Sequence, residues 1–299
     1  MHERVLKPLR VLFAADESPG SERARALVRK LHLPRGSSIR VVRALGAEPT
    51  AAGLPDAMRD EVVSAVVSAL QAEVQAFAEP LRQTQITLEA EALRGRAASV
   101  IVTEAERWAA DLVVVGSHGR GAIASAILGS VAAEVVDHAP CPVLIARATD
   151  VTSIVLADDG SADSGTAAGV VASGIFAAPV QVISVVSVTR PLSSGIAPTV
   201  RAAAREAYRE ALAADRVEHE QLVRRRADQL RAAGLEVATD VREGDPGDEI
   251  LAAAQESRAD LIAMGTRGRT GLQRLILGSV ARKVLGRASG SVLVARSRG

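Results

Sequence analysis

At 299 residues the chain is long enough for about two domains of roughly 150 residues each. Its 24% charged and 48% apolar residues are an ordinary soluble balance, and a net charge of +1 excludes a broad field that would recruit a polyanion. Aromatics at 2% exclude stacking platforms for nucleic acid, and one cysteine, Cys141, excludes an internal disulfide framework.

Arg10 to Ala15 reads as an apolar strand that stops at Asp16. Ser21 to Leu31 reads as a helix opened by a Pro19-Gly20 turn, and Ile39 to Leu45 as a second strand. A long amphipathic helix is expected over Asp56 to Arg82, ending near Pro80, then an outer strand over Ile86 to Ala92. Helix Ala97 to Ala110, strand Leu112 to Val115, helix Ser130 to His138 and strand Pro142 to Ala146 complete the first half. Cys141 and Trp108 are expected to be core residues rather than reactive ones.

The second half repeats this order. DLVVVGSHGRGAIASAILGSVAAEVV from Asp111 matches DLIAMGTRGRTGLQRLILGSVARKVL from Asp260, 149 positions on, without a gap to PVLIAR and SVLVAR. The strand motifs ending in Asp16 and Asp159 lie 143 positions apart, so the second copy holds six extra residues between its motifs. The division is expected near Thr149-Asp150, giving domains 1–149 and 150–299. A long charged helix is expected over about Val200 to Ala233, with Arg224 to Arg226 on a solvated face. Residues 167–188 are nearly free of charge, but Gly174, Pro179 and Gln181 interrupt them, so a helix end, a turn and a buried strand are expected instead of a membrane span. MHERVLKPLR has no apolar core after its charges, so no signal peptide is expected and a cytoplasmic location is.

Strands of Val, Ile and Leu alternating with helices imply parallel sheets covered on both faces, and right-handed crossovers make them doubly wound. Ligands of such sheets sit beyond the carboxyl ends of the strands, where the order reverses. There the first strand ends in Asp16 (Asp159), and the fourth runs through Val115 to Gly116 (Met264 to Gly265). The following loop spaces Gly116, Gly119, Gly129 and Ser130 as it spaces Gly265, Gly268, Gly278 and Ser279. Glycines admit close backbone approach, and a helix start with free N–H groups is an anion site. The alternative is plain turn chemistry with a serine N-cap. No GxxxxGK[ST] occurs, no GxGxxG follows the first strand, and His2, His32, His138 and His219 have no metal-ligand spacing.

GSHGRGAIASAILGS and GTRGRTGLQRLILGS resemble the nucleotide signature of the ATP-binding branch of the universal stress proteins. AADES, ADDGS and HAPCPVLIAR resemble that family's first and closing strands, so the likeness covers nearly the whole chain. It implies two tandem doubly wound five-stranded parallel-sheet α/β domains, adenine nucleotide alpha hydrolase-like, of strand order 3-2-1-4-5. It also implies one ATP per domain at the switch between strands one and four. By that resemblance Asp16 and Asp159 contact adenosine, and Ala44 and Val185 lie near adenine. Val115, Gly116, His118 and Gly119, with Met264, Gly265, Arg267 and Gly268, line ribose and phosphates. Gly129, Ser130 and Val131, with Gly278, Ser279 and Val280, hold the phosphates. Mg²⁺ or Mn²⁺ would arrive with the phosphates. His118 stands where the second copy has Arg267, so the two sites are expected to differ in affinity.

The expected function is a nucleotide-dependent stress-response regulator, a homodimer in the resemblance's terms, with an unknown protein partner and neither nucleic acid nor membrane. The alternatives are a slow ATPase, or a phosphotransferase that phosphorylates itself on Ser117, Ser130, Thr266 or Ser279, and an electron-transfer flavoprotein-like module. Nothing in either motif places a nucleophile beside a base, which favours binding over turnover.

Overall fold

The computed structural model describes residues 7–46, 56–117, 128–187, 198–266 and 277–297. The first half runs β1 Arg10–Ala14, α1 Pro19–Lys30, β2 Ser38–Leu45, α2 Asp56–Ala78, β3 Thr87–Arg94, α3 Ala97–Arg107, β4 Leu112–Gly116, α4 Ser130–His138 and β5 Val143–Ala146. The second runs β6 Ile154–Ala157, α5 Ala162–Ala172, β7 Val180–Ser187, α6 Pro198–Ala232, β8 Val237–Gly244, α7 Pro246–Glu256, β9 Leu261–Gly265, α8 Ser279–Arg287 and β10 Ser291–Ala295.

All ten strands form one sheet of order β3-β2-β1-β4-β5-β10-β9-β6-β7-β8. Each half is parallel with the expected 3-2-1-4-5 order. The halves meet where β5 and β10 pair antiparallel, Val143 opposite Val294 and Ile145 opposite Val292. The Arg147 guanidinium crosses that seam and donates to the carbonyls of Leu285 and Ala288 at the end of α8, where a cation meets the negative end of the helix dipole.

The alternation along β1 builds both layers of the core. Val11 and Phe13 point to the face covered by α1 and α2, while Leu12 points to the face covered by α3 and α4; all three are fully buried. The same two faces continue through the second half under α5 and α6, and under α7 and α8. Cys141 is buried, and Trp108 is partly buried with the Arg40 guanidinium 4.8 Å from its ring centroid.

Several local details differ from the sequence reading. Pro19-Gly20 is the first turn of α1 itself, because the Ser18 hydroxyl caps the helix by accepting from Ser21 N–H and Pro19 needs no partner at the first position. α3 stops at Arg107, three residues early, as Ala109 takes a φ of 51°. The long helix of the first half ends at Ala78 and closes in a 3₁₀ turn at Glu79–Leu81 around Pro80. Residues 167–187 divide into the end of α5, a turn with Gly174 at φ 76°, and β7. α6 has 35 residues against 23 in α2. Among the described residues no helix is long and apolar enough to cross a membrane.

Candidate functional site

In each half the order reverses between the neighbours β1 and β4, or β6 and β9, and Asp16, Gly129 and Ser130, with Asp159, Gly278 and Ser279, follow or close back onto those strand ends. The registers make the halves comparable residue by residue. Val11 pairs with Leu112 as Ile154 pairs with Leu261, so Asp16 corresponds to Asp159. Ala14 pairs with Val42 as Ala157 pairs with Ile183, so Ala44 and Val185 occupy the same place one strand over.

Asp16 is held by its neighbours. Its Oδ1 accepts from Ser18 N–H at 3.0 Å, from the Ser18 hydroxyl, and from the Ser21 hydroxyl at 2.7 Å. Asp159 accepts from Ser161 N–H at 3.0 Å, and Ser161 caps α5 as Ser18 caps α1. Both carboxylates remain partly open to solvent.

The strand-end glycines have a structural reason besides any ligand. A Cβ on Gly116 would come within 2.8 Å of the Gly20 backbone, and one on Gly265 within 2.9 Å of Ser164 N and 2.8 Å of Asp163 Cβ. The first helix of each half therefore packs directly on the end of the fourth strand. Val115 and Met264 are buried side chains, so only their main chain can face a ligand.

Past the strand, Gly129 N–H donates to Ser117 C=O and Gly278 N–H to Thr266 C=O, both at 2.9 Å. These bonds bring the end of each glycine-rich loop back to its beginning. His118, Gly119, Arg267 and Gly268 lie outside the described residues.

The short helices then begin. Gly129 and Gly278 are the caps, with φ of −63° and −62°, and Ser130 and Ser279 are the first helical residues. The serine N-cap is therefore not what these serines provide. No side chain caps α4 or α8, as none caps α3, whereas Ser18, Ser161 and Asp245 cap α1, α5 and α7. Ser130, Val131 and Ser279 are exposed and Val280 is partly so. Among the described residues no side chain meets the N–H groups of these exposed helix starts, and free N–H groups there suit a polyanion.

Ser117 and Thr266, offered above as phosphate acceptors, are buried, and the Thr266 hydroxyl donates to Asp163. They are inaccessible; of those four only Ser130 and Ser279 are exposed.

The sequence reading missed the support beneath the second site. Asp158, in the place of Ala15, is buried and accepts from Arg226 Nε at 2.6 Å and the Ser164 hydroxyl at 2.7 Å. Arg226 thus turns inward, while Arg224 and Arg225 keep the solvated face expected of all three. The Ser184 hydroxyl bridges Asp158 C=O and His219 Nδ1, the latter at 2.7 Å. The doubled acid of LADDGS was the signal available in the sequence. Among the described residues no group of three or more His, Cys, Asp or Glu could hold a metal ion.

The family model for the universal stress protein family matches twice, over residues 9–147 and 151–296. The chain belongs to that family. A universal stress protein of Thermus aquaticus is 34% identical over 140 residues, covering 46% of this chain and 97% of that protein. One of Methanocaldococcus jannaschii is 48% identical over 63 residues, 21% of this chain, and the match spans only 37% of that relative's length. The crystal structure of a universal stress protein from Archaeoglobus fulgidus shares the fold across 97% of this chain and 98% of its own, with a TM-score of 0.64 at 20% identity. Another member was solved in complex with cAMP; it matches 49% of this chain at 22% identity and a TM-score of 0.34.

Proposed function

We propose that this chain binds ATP once in each half and acts as a nucleotide-dependent stress-response regulator in the cytoplasm. The observation that carries the reading is the uncapped, exposed start of α4 and α8, repeated at the same distance from the strand switch in both halves. Ser18 and Ser161 nearby supply side-chain caps to α1 and α5, whereas the starts of α4 and α8 pair an absent cap with exposed serines beside the strand switch.

Division at Thr149-Asp150 makes residues 1–149 and 150–299 two nucleotide domains joined through β5 and β10. Asp16 and Asp159 hold the adenosine end, with Ala44 and Val185 beside adenine. Main chain at Val115, Gly116, Met264 and Gly265 faces the ribose, and His118, Gly119, Arg267 and Gly268 line the ribose and phosphates. Gly129, Ser130 and Val131, and Gly278, Ser279 and Val280, hold the phosphates, with Mg²⁺ or Mn²⁺ bound through them. Occupancy then changes the surface offered to a protein partner, and whole chains associate as homodimers through faces other than the β5–β10 seam.

The alternative is slow hydrolysis or self-phosphorylation, for which the exposed Ser130 and Ser279 are the remaining acceptors. Mass spectrometry of nucleotide carried by the purified protein separates the readings: intact ATP supports the regulator, whereas steady release of ADP and phosphate supports the enzyme. Calorimetry is expected to find two adenine nucleotides per chain. No heat of ATP binding at millimolar ligand overturns the proposal.

A further inference from the structure

The two outer strands of the ten-stranded sheet are treated differently. Thr87 N–H donates to Ser37 C=O, so alternate residues of β3 turn their main chain toward β2, and Leu88, Ala90 and Ala92 turn theirs to the free edge. That edge is sealed. The Gln71 side chain donates to Ala90 C=O at 2.6 Å and accepts from Ala92 N–H at 2.8 Å, as a neighbouring strand would.

On the far side Val180 N–H donates to Glu236 C=O, so Val237, Thr239, Val241 and Glu243 of β8 present their main chain outward. Glu220 stands on α6 where Gln71 stands on α2, and it pairs along its own helix with Arg216 and Arg224. Arg231 covers only the carbonyl of Val237, at 2.8 Å. Among the described residues nothing bonds the outward groups of Thr239 and Val241, and Ala238 and Thr239 are exposed.

We propose that the free edge of β8 is where two copies of this chain join, by antiparallel pairing about a two-fold axis at Val241. The charges of the strand select a second copy as the occupant. In that register Asp240 lies opposite the second copy's Arg242, and Arg242 opposite its Asp240. Within one chain these two side chains are already paired at 2.8 Å on one face. Arg242 is also held by Glu249 and Glu256 of α7, so pairing sets each Asp240 against an arginine already anchored on its own chain; opposite charges across strands favour the register while a one-residue slip loses it. Val241 then exchanges main-chain hydrogen bonds with the second copy's Val241, and Thr239 with its Glu243, so the sheet continues through both molecules. The inference rests on the homodimer proposed above and assigns its surface.

Such an edge buries less than the roughly 1,600 Å² of a standard interface, so association is expected in the micromolar range, as about 5 against about 200 µM will read. Sedimentation of the full chain is expected to show monomer at the lower concentration and dimer at the higher. Val241→Pro removes an outward N–H without touching the β7–β8 ladder and is expected to leave a monomer throughout. Asp240→Lys keeps the backbone and sets like charges opposite Arg242, weakening the dimer at least tenfold. Hydrogen exchange guards against a folding defect. The amides of Thr239 and Val241 are expected to slow only at the higher concentration, while that of Ala92 is equally slow at both. Wild-type monomer at about 200 µM overturns both the edge and the homodimer. A dimer that survives both substitutions, or edge amides that ignore concentration, overturns the edge and leaves the homodimer standing.

Discussion

Beneath the tip of the first strand the two halves use opposite chemistry. In the first, Ala15 follows the strand and Phe77 packs on the same core, its ring 5.8 Å from that of Phe13 and 4.4 Å from the Arg25 guanidinium. In the second, Asp158 stands in the place of Ala15 and Arg226 in that of Phe77, and the two form a buried pair. One strand over, Arg43 bridges Glu17 and Glu73, where the second half has Ser184 bonded to His219. Ser184 has one proton, and the carbonyl of Asp158 takes it; His219 Nδ1 must then be the donor to Ser184. One fold thus carries two similar strand ends on unlike supports. An apolar floor tolerates loss of one group by local repacking, whereas a buried ion pair tolerates loss of neither partner alone.

Breaking that pair gives the largest expected effect. Arg226→Met leaves the buried Asp158 side chain without its ion-pair partner, and is expected to cost about 3–5 kcal/mol by urea denaturation. Joining it to Asp158→Ala, which imports the apolar floor of the first half, should recover most of the loss. If the double variant is as unstable as the single one, the pair is not what makes the halves differ.

Next comes the cradle. Gly278 has a φ of −62°, which any residue can adopt, so Gly278→Val should fold normally while placing a branched side chain over the start of α8. Calorimetry is expected to fall from two nucleotides per chain to one, the first half binding as before. Two equivalents retained would remove Gly278 from the site.

Ser279→Ala is milder. A hydrogen bond to a charged group contributes about 1.5–3 kcal/mol, so affinity at the second site should fall roughly ten- to a hundredfold. The melting temperature without ligand should stay put, because Gly278 and not Ser279 caps the helix. A lower melting temperature with unchanged affinity would make Ser279 a structural residue only.

The smallest effect concerns the sheet edges. Gln71→Ala removes two hydrogen bonds from β3 and is expected to destabilise the first half by about 1–2 kcal/mol. Gln71→Glu imports the residue of the second half and keeps the acceptor but not the donor. Faster exchange at Ala92 in the alanine variant alone would confirm that the side-chain carbonyl holds that amide.

The sequence by itself determined the duplication and the alternation of strand and helix. Each is a signal written along the chain: a repeat at fixed spacing, apolar runs of strand length, and glycines at matched offsets. It also placed Asp16 and Asp159 at matching strand ends, since the 143-residue offset between the first-strand motifs fixes which residues correspond. Only the tertiary structure decided what those positions meet. Gly116 and Gly265 had a ligand as their reason in the sequence, yet each also clears the N-terminus of a helix packed on it. Arg226 belonged to a solvated triplet until Asp158, 68 residues away, drew it inward. Gln71 had no assigned role until the edge of β3 came within reach of its amide. In each case the deciding partner is remote in sequence, and the cost of burying a polar group without one is set by the folded surroundings.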